Sequence, residues 1–184
     1  MPWFKKNSSE PLTVAMTGIK LGNRVLIVGV SDTPLIAALG IKAGLTGRTC
    51  MVDSNEREVA QAAAIVEREG ALVESAVSAL TTLPYESGAF DVAVLRDVLG
   101  QAPVEQRLAI AAQAERVIRP GGRCLVIETS AKAGLGGLVS RAINAEFHAR
   151  GGATPLLTSV GFAAVRTLAE RSGLTFTEGV KRSG

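Results

Sequence analysis

The sequence predicts an α/β domain in which helices wind both faces of a largely parallel sheet, and three observations carry this. Residues Arg24–Asp53, RVLIVGVSDTPLIAALGIKAGLTGRTCMVD, read as strand, tight turn, helix and strand, closing on a carboxylate. The runs Arg24–Val30, Arg48–Asp53, Phe90–Leu95 and Arg123–Glu128 are short and rich in apolar residues without strict alternation, as expected of parallel strands buried on both faces. Each strand is separated from the next by a helix or loop of crossover length, the βαβ pattern.

With 184 residues, one compact domain accounts for the chain. A composition of 47% hydrophobic and 20% charged residues suits a globular chain rather than a disordered one. The net charge of +3 comes from scattered Lys and Arg, with tight clusters only at Lys5–Lys6 and Lys181–Arg182, so no nucleic-acid face is expected. No apolar run reaches the ~18 residues of a membrane helix and the N-terminus lacks the apolar core of a signal peptide, which predicts a cytoplasmic protein. Cys50 and Cys124 fall in separate strands without metal-type spacing. In the expected strand order they sit roughly 14 Å apart, too far for a disulfide.

In chain order, Met1–Glu10 sets Trp3 and Phe4 beside Lys5 and Lys6. Two readings stand: a tail packed back on the domain, or a small anchor that enters a membrane surface or a protein complex while the lysines meet anionic groups. Leu12–Gly22 reads as a short helix with Leu12, Ala15, Met16 and Ile19 on one face and Gly22 as its stop, so residues 1–22 form an N-terminal segment ahead of the main domain, 23–184. The first strand, Arg24–Val30, is followed by a helix over Pro34–Lys42, with Thr33 as N-cap and Pro34 in the first turn, where its missing N–H costs nothing. The turn Gly29–Thr33 then points free N–H groups and a helix dipole out of the carboxyl edge of the sheet, where open α/β sheets bind ligands.

Asp53 ends the second strand 24 residues beyond Gly29, close to the ~20 at which nucleotide-binding folds place an acid for ribose hydroxyls. Asn55 and Glu58 have capping-box spacing, with Val59, Ala62, Ala63 and Val66 as the apolar face of the helix that follows. Ala71–Val77 is a weaker third strand, Leu80–Gly88 is irregular, and Phe90–Leu95 is the fourth strand. Pro103–Ile118 is a helix with Leu108, Ala111, Ala112, Glu115 and Ile118 at helical spacing, ended by the turn Arg119-Pro120-Gly121-Gly122. Arg123–Glu128 is the fifth strand. Leu138–Arg150 reads as a helix and a candidate lid, whose Leu138, Val139, Ala142, Ile143 and Phe147 offer an apolar face flanked by Arg141 and Arg150. In Pro155–Lys181, helical propensity at Ala163–Glu170 competes with a hairpin at Ser172-Gly173, and two closing strands are expected.

These stretches resemble the class I S-adenosylmethionine-dependent methyltransferases, in particular the ubiquinone and menaquinone methyltransferase branch, and imply a domain of the methyltransferase type 11 kind. The resemblance rests on RVLIVGVSDTPL, MVDSNE, LPYESGAFDVAVL and VIRPGGRCLVIE, with VGFAAVRTLAE and LTFTEGVK similar to the closing hairpin. It implies a Rossmann-like sheet of seven strands whose seventh is antiparallel and lies between the fifth and sixth. It also implies S-adenosylmethionine as cofactor. The methionine part would lie against Gly29, Ser31 and Asp32, the ribose on Asp53, and the adenine beside Ser54, Ala79 and Leu80, with the backbone at Arg96 facing the methionine carboxylate and amine. The implied activity is methyl transfer to a small or lipid-like acceptor. Departures from the family pattern cluster in the cofactor site: Ile27 and Ala79 stand where acids are common, and Ser31 and Thr33 where glycines are. They raise a rival reading, a methyltransferase-like accessory or binding subunit without catalysis. A nicotinamide dehydrogenase is disfavoured because the turn lacks GxGxxG.

The residues leave several roles open. Asp53 reads as a ribose ligand or as an acid placed favourably at a helix N-terminus. Ser31 and Asp32 read as ligand contacts or as helix caps, Arg96 and Asp97 as site residues or a surface pair. His148 reads as a helix-face residue rather than a base, since no partner is spaced to activate it. Because a sulfonium is already a good leaving group, catalysis can come from alignment alone, and the sequence names no general base. It also carries no strong oligomer signal and no metal site.

Overall fold

The computed structural model describes residues 11–129 and 145–183. Strand β1, Arg24–Val28, is the pivot, buried at every residue after Arg24. It pairs in parallel with β2, Arg48–Asp53, on one side and β4, Phe90–Arg96, on the other. Beyond β2 lies β3, Glu74–Val77, and beyond β4 lies β5, Ile118–Thr129, both parallel. The hairpin of β6, Ala163–Arg171, and β7, Leu174–Val180, closes the sheet, with β7 antiparallel to β5. The order is β3-β2-β1-β4-β5-β7-β6, seven strands in all. This is the implied class I methyltransferase sheet, with its antiparallel seventh strand inserted between the fifth and sixth.

Because successive strand residues face opposite sides, β1 feeds two cores. Val25 and Ile27 pack with α1, Leu12–Thr17, α2, Thr33–Ala43, and α3, Glu56–Arg68. Leu26 and Val28 pack with α4, Val104–Val117, a helical turn at 145–149 (α5) and α6, Ala153–Ser159. Cys50 and Cys124 are buried and free, on β2 and β5 with β1 and β4 between them.

Several boundaries differ from the sequence reading. Helix α1 stops at Thr17, because Gly18 turns left-handed at φ 61° and returns its N–H to Ala15, so Gly22 is not its stop. Strand β1 ends at Val28, since Gly29 has φ 91°, and β3 begins only at Glu74. The cap of α2 is Asp32 rather than Thr33; its Oδ1 accepts the Leu35 N–H at 3.2 Å. The buried face of α4 is Arg107, Ile110, Ala111, Ala114 and Val117, so the expected stripe was out of phase and Leu108 is exposed. The Arg119–Gly122 turn lies within β5 as a bulge, stitched to the far end of the chain by Gly121 N–H on Lys181 O and Lys181 N–H on Gly122 O. Helix α6 was not anticipated. Ala163–Glu170 is extended despite its helical propensity, because pairing with β7 outweighs a preference of a few tenths of a kcal/mol per residue. Ser172 and Gly173 both have positive φ, as a type I′ hairpin turn requires.

The Asn55–Glu58 box forms in part: Asn55 accepts the Arg57 and Glu58 N–H groups, while Glu58 returns to the Asn55 side chain instead of its backbone. Trp3, Phe4, Lys5 and Lys6 lie outside the described residues, as does the expected lid up to residue 144. The remainder of that helix turns inward, with Phe147 buried. No described helix is long and apolar enough to cross a membrane.

Candidate functional site

The site begins where β1 breaks. A Cβ on Gly29 would stand 2.6 Å from the Arg96 carbonyl oxygen and 2.8 Å from Val98, so the closeness of the β1 and β4 ends requires glycine there at φ 91°. The chain then passes Val30, whose N–H reaches Asp53 Oδ2 at 3.3 Å. Oδ1 of the same carboxylate accepts the Ser54 and Asn55 N–H groups at 2.6 and 3.3 Å. These bonds fix the orientation of Asp53, and Oδ2 with a single donor keeps acceptor capacity for another partner.

A cleft of about 370 Å³ opens over the carboxyl ends of β1, β2 and β4. Of the residues expected at a cofactor, Gly29, Ser31, Asp53, Ser54, Ala79, Leu80 and Arg96 all line it. Asp32 does not; its carboxylate caps α2 and takes the Arg96 Nε–H at 3.0 Å. Two of the four departures lie away from the cleft: Ile27 is fully buried in the α1–α3 core, and Thr33 opens α2. Polar lining missed by the sequence reading comes from Glu58, Thr81, Gln101 and Gln106, and Asp97, one of the two readings of which was a site residue, lines the cleft as well. The cleft thus brings together a carboxylate with spare acceptor capacity, an apolar wall at Ala79 and Leu80 and this polar rim.

Arg96 and Asp97 are not a surface pair. Their side chains are 13% and 11% exposed, and the Arg96 guanidinium contacts Asp97, Asp32 and, at 3.4 Å, Thr129 Oγ1. Asp97, left-handed at φ 53°, accepts the Thr129 N–H at 2.6 Å and its hydroxyl at 2.8 Å. This ties the end of β4 to the end of β5 beneath the cleft. One residue earlier on β5, the buried Glu128 accepts the Leu99 and Gly100 N–H groups at 2.9 and 3.1 Å through Oε1. Burial, opposed by those bonds, pushes its pKa up to about 8. The signal available in the sequence was an acid inside the apolar strand end LVIET.

Buried Arg107 of α4 has no acidic partner among the described residues. It donates to Ala102 O at 3.0 Å and Gly100 O at 3.3 Å, and stands 5.2 Å over the Phe147 ring. His148 is half-buried with Nε2 3.3 Å from Thr129 O. Among the described residues no cluster of His, Cys, Asp and Glu could hold a metal ion.

A family model described as a methyltransferase domain (Methyltransf_11) matches residues 26–126, more than half of the chain. The chain belongs to this methyltransferase-domain family. Among curated proteins it is similar to the ubiquinone/menaquinone biosynthesis C-methyltransferase UbiE of Cupriavidus taiwanensis, 26% identical over 118 residues that cover 64% of this chain and 48% of that protein. The chain thus spans about half the length of the curated relatives it matches. Among solved structures it resembles a SAM-dependent methyltransferase from Aquifex aeolicus, with TM-score 0.76, 19% identity, and 91% and 86% of the two chains covered. It also resembles PigF with SAH, with TM-score 0.65, 18% identity, and 91% and 54% covered. S-adenosylmethionine as the cofactor agrees with the family and with these neighbours.

Proposed function

We propose that this chain binds S-adenosylmethionine in the cleft at the carboxyl ends of β1, β2 and β4 and transfers its methyl group to a small or lipid-like acceptor. The observation that carries this reading is Asp53, oriented by three backbone N–H groups while Oδ2 retains acceptor capacity on the cleft. In this role Asp53 receives the ribose hydroxyls, Ser54, Ala79 and Leu80 border the adenine, and the backbone at Gly29, Ser31 and Arg96 takes the methionine end. Asp32 acts through Arg96, holding the guanidinium by an ion pair at 3.0 Å.

The bound cofactor supplies a sulfonium methyl donor whose thioether leaves readily. The work left to the chain is to hold the acceptor in line with that methyl group, a proximity effect that can supply roughly 7–11 kcal/mol of barrier lowering. The similarity to ubiquinone/menaquinone biosynthesis C-methyltransferases supports a lipid-like acceptor class. Calorimetric titration with S-adenosylmethionine and S-adenosylhomocysteine tests the reading. Micromolar binding of either is expected; no heat at millimolar ligand would sink it and leave the accessory role.

A further inference from the structure

We propose that a second cavity, open to solvent on one side and lying between the β5-β7-β6 part of the sheet and helices α5 and α6, is a binding site for a small uncharged molecule that presents a carbonyl oxygen to Glu128. The cavity holds about 200 Å³ and is separate from the cleft over β1 and β2. Its lining includes Glu128, Phe147, His148, Glu170, Thr175 and Thr177. Strand register puts this lining on one face, because Glu128 lies opposite Thr175, Val126 opposite Thr177, and Glu170 opposite Thr175 from the other side.

Glu128 is 2% exposed. Oε1 is occupied by Leu99 and Gly100, whereas Oε2 is buried with no hydrogen-bond partner among the described residues. A buried polar atom without a partner costs roughly 1–3 kcal/mol, and a cavity of this size beside it has room for a ligand to supply one. With both N–H donors on Oε1, the proton of the neutral carboxyl belongs on Oε2. The group therefore offers the cavity a donor and asks for an acceptor. A carbonyl oxygen meets that demand, Thr175 and Thr177 line the same cavity, and Phe147 supplies an apolar wall.

The charged groups around Glu128 are Arg96 and Asp97 at the end of β4, Arg107 of α4 through Gly100, His148 of α5 and Glu170 of β6; β7 presents only threonines. An ionised Glu128 repels a carbonyl, so affinity falls as pH rises through about 8. Gln at this position reproduces the neutral carboxyl, with its carbonyl on Leu99 and Gly100 and its NH₂ on the cavity.

The test uses the full chain without cofactor, so its outcome is independent of methyl transfer. The probes are para-fluoroacetophenone and its isostere para-fluoro-α-methylstyrene, in which CH₂ replaces the carbonyl oxygen, both followed by fluorine NMR. The ketone is expected to bind about tenfold more tightly than the alkene, a single hydrogen bond's worth. Glu128→Gln keeps that preference and abolishes its pH dependence, and Glu128→Met removes the preference. Thr175→Val, which leaves the Leu99 and Gly100 bonds intact, weakens ketone binding several-fold and serves if Glu128→Met does not fold. Absence of ketone binding, equal affinity for ketone and alkene, or unchanged preference in Thr175→Val together with a flat native pH profile overturns the proposal.

Discussion

Asp53 at the end of β2 accepts the Val30 N–H at 3.3 Å, so one carboxylate joins the two strand ends that flank the cleft. In the proposed role the same oxygen also receives the ribose hydroxyls, so that Asp53 would serve as a structural tie and a ligand group together. Asp53→Ala is expected to weaken S-adenosylmethionine binding by about 10- to 100-fold, the loss of a charge-assisted hydrogen bond. Asp53→Asn keeps one acceptor oxygen but sets its NH₂ against either the Val30 N–H or the Ser54 and Asn55 N–H groups, so it should lose some thermal stability as well as most of that affinity. Calorimetry and a melting curve on both variants check this; native affinity in Asp53→Asn contradicts the ribose role.

Gly29 is fixed by its surroundings whatever binds beside it. Gly29→Ala places a methyl 2.6 Å from the Arg96 carbonyl at φ 91°, and both the clash and the left-handed backbone penalise the folded state. A destabilisation of about 2–4 kcal/mol is expected by urea denaturation. A variant within 0.5 kcal/mol of the native chain, to the order of surface substitutions, shows that the turn relaxes freely.

Glu128 and Asp91 give the protein opposite pH dependences. The folded-state pKa of Glu128, about 8 against an ordinary 4.5, means that between these values the folded chain holds a proton the unfolded chain has released. Stability from this group therefore falls as pH rises from about 4.5 to about 8, by on the order of 4 kcal/mol at about 1.36 kcal/mol per pH unit. Glu128→Gln should remove the slope and exceed the native stability above pH 8 in urea titrations at stepped pH. For Asp91, burial is outweighed by the Arg119 side chain and the Arg24 N–H, which hold its carboxyl below the usual range. Its stabilisation is present above the ordinary carboxylate range and lost as pH falls below it, so Asp91→Asn should flatten only the acid limb.

Arg107 supports the Gly100–Ala102 segment that borders the cleft, with no carboxylate among the described residues to neutralise it. Arg107→Met keeps the buried stem but leaves Gly100 O and Ala102 O without their donors and Phe147 without its cation. A loss of about 2–3 kcal/mol in denaturant unfolding is expected. Arg107→Lys should recover only part of it, since one ammonium cannot reproduce the planar fork that reaches both carbonyls.

The strands β1, β2, β4 and β5 were legible because a parallel strand buried on both faces announces itself as an apolar run, a property of neighbouring residues alone. The same local character marked Gly29 at the turn, Asp53 at a strand end and Ser172-Gly173 at the hairpin. The order that places β7 between β5 and β6 was legible only through family resemblance. Local residue order is enough to say where the chain must be buried, turn or end a strand. Which groups meet across long stretches of chain depends on how the elements pack: Arg96 on Asp32, Glu128 on Leu99 and Gly100, and the rotation of α4 that buries Arg107 rather than Leu108. Hydropathy favours burying Leu108 over Arg107, and the preference is reversed because two backbone carbonyls and an aromatic ring, brought to Arg107 by the fold, replace the water that a buried guanidinium gives up.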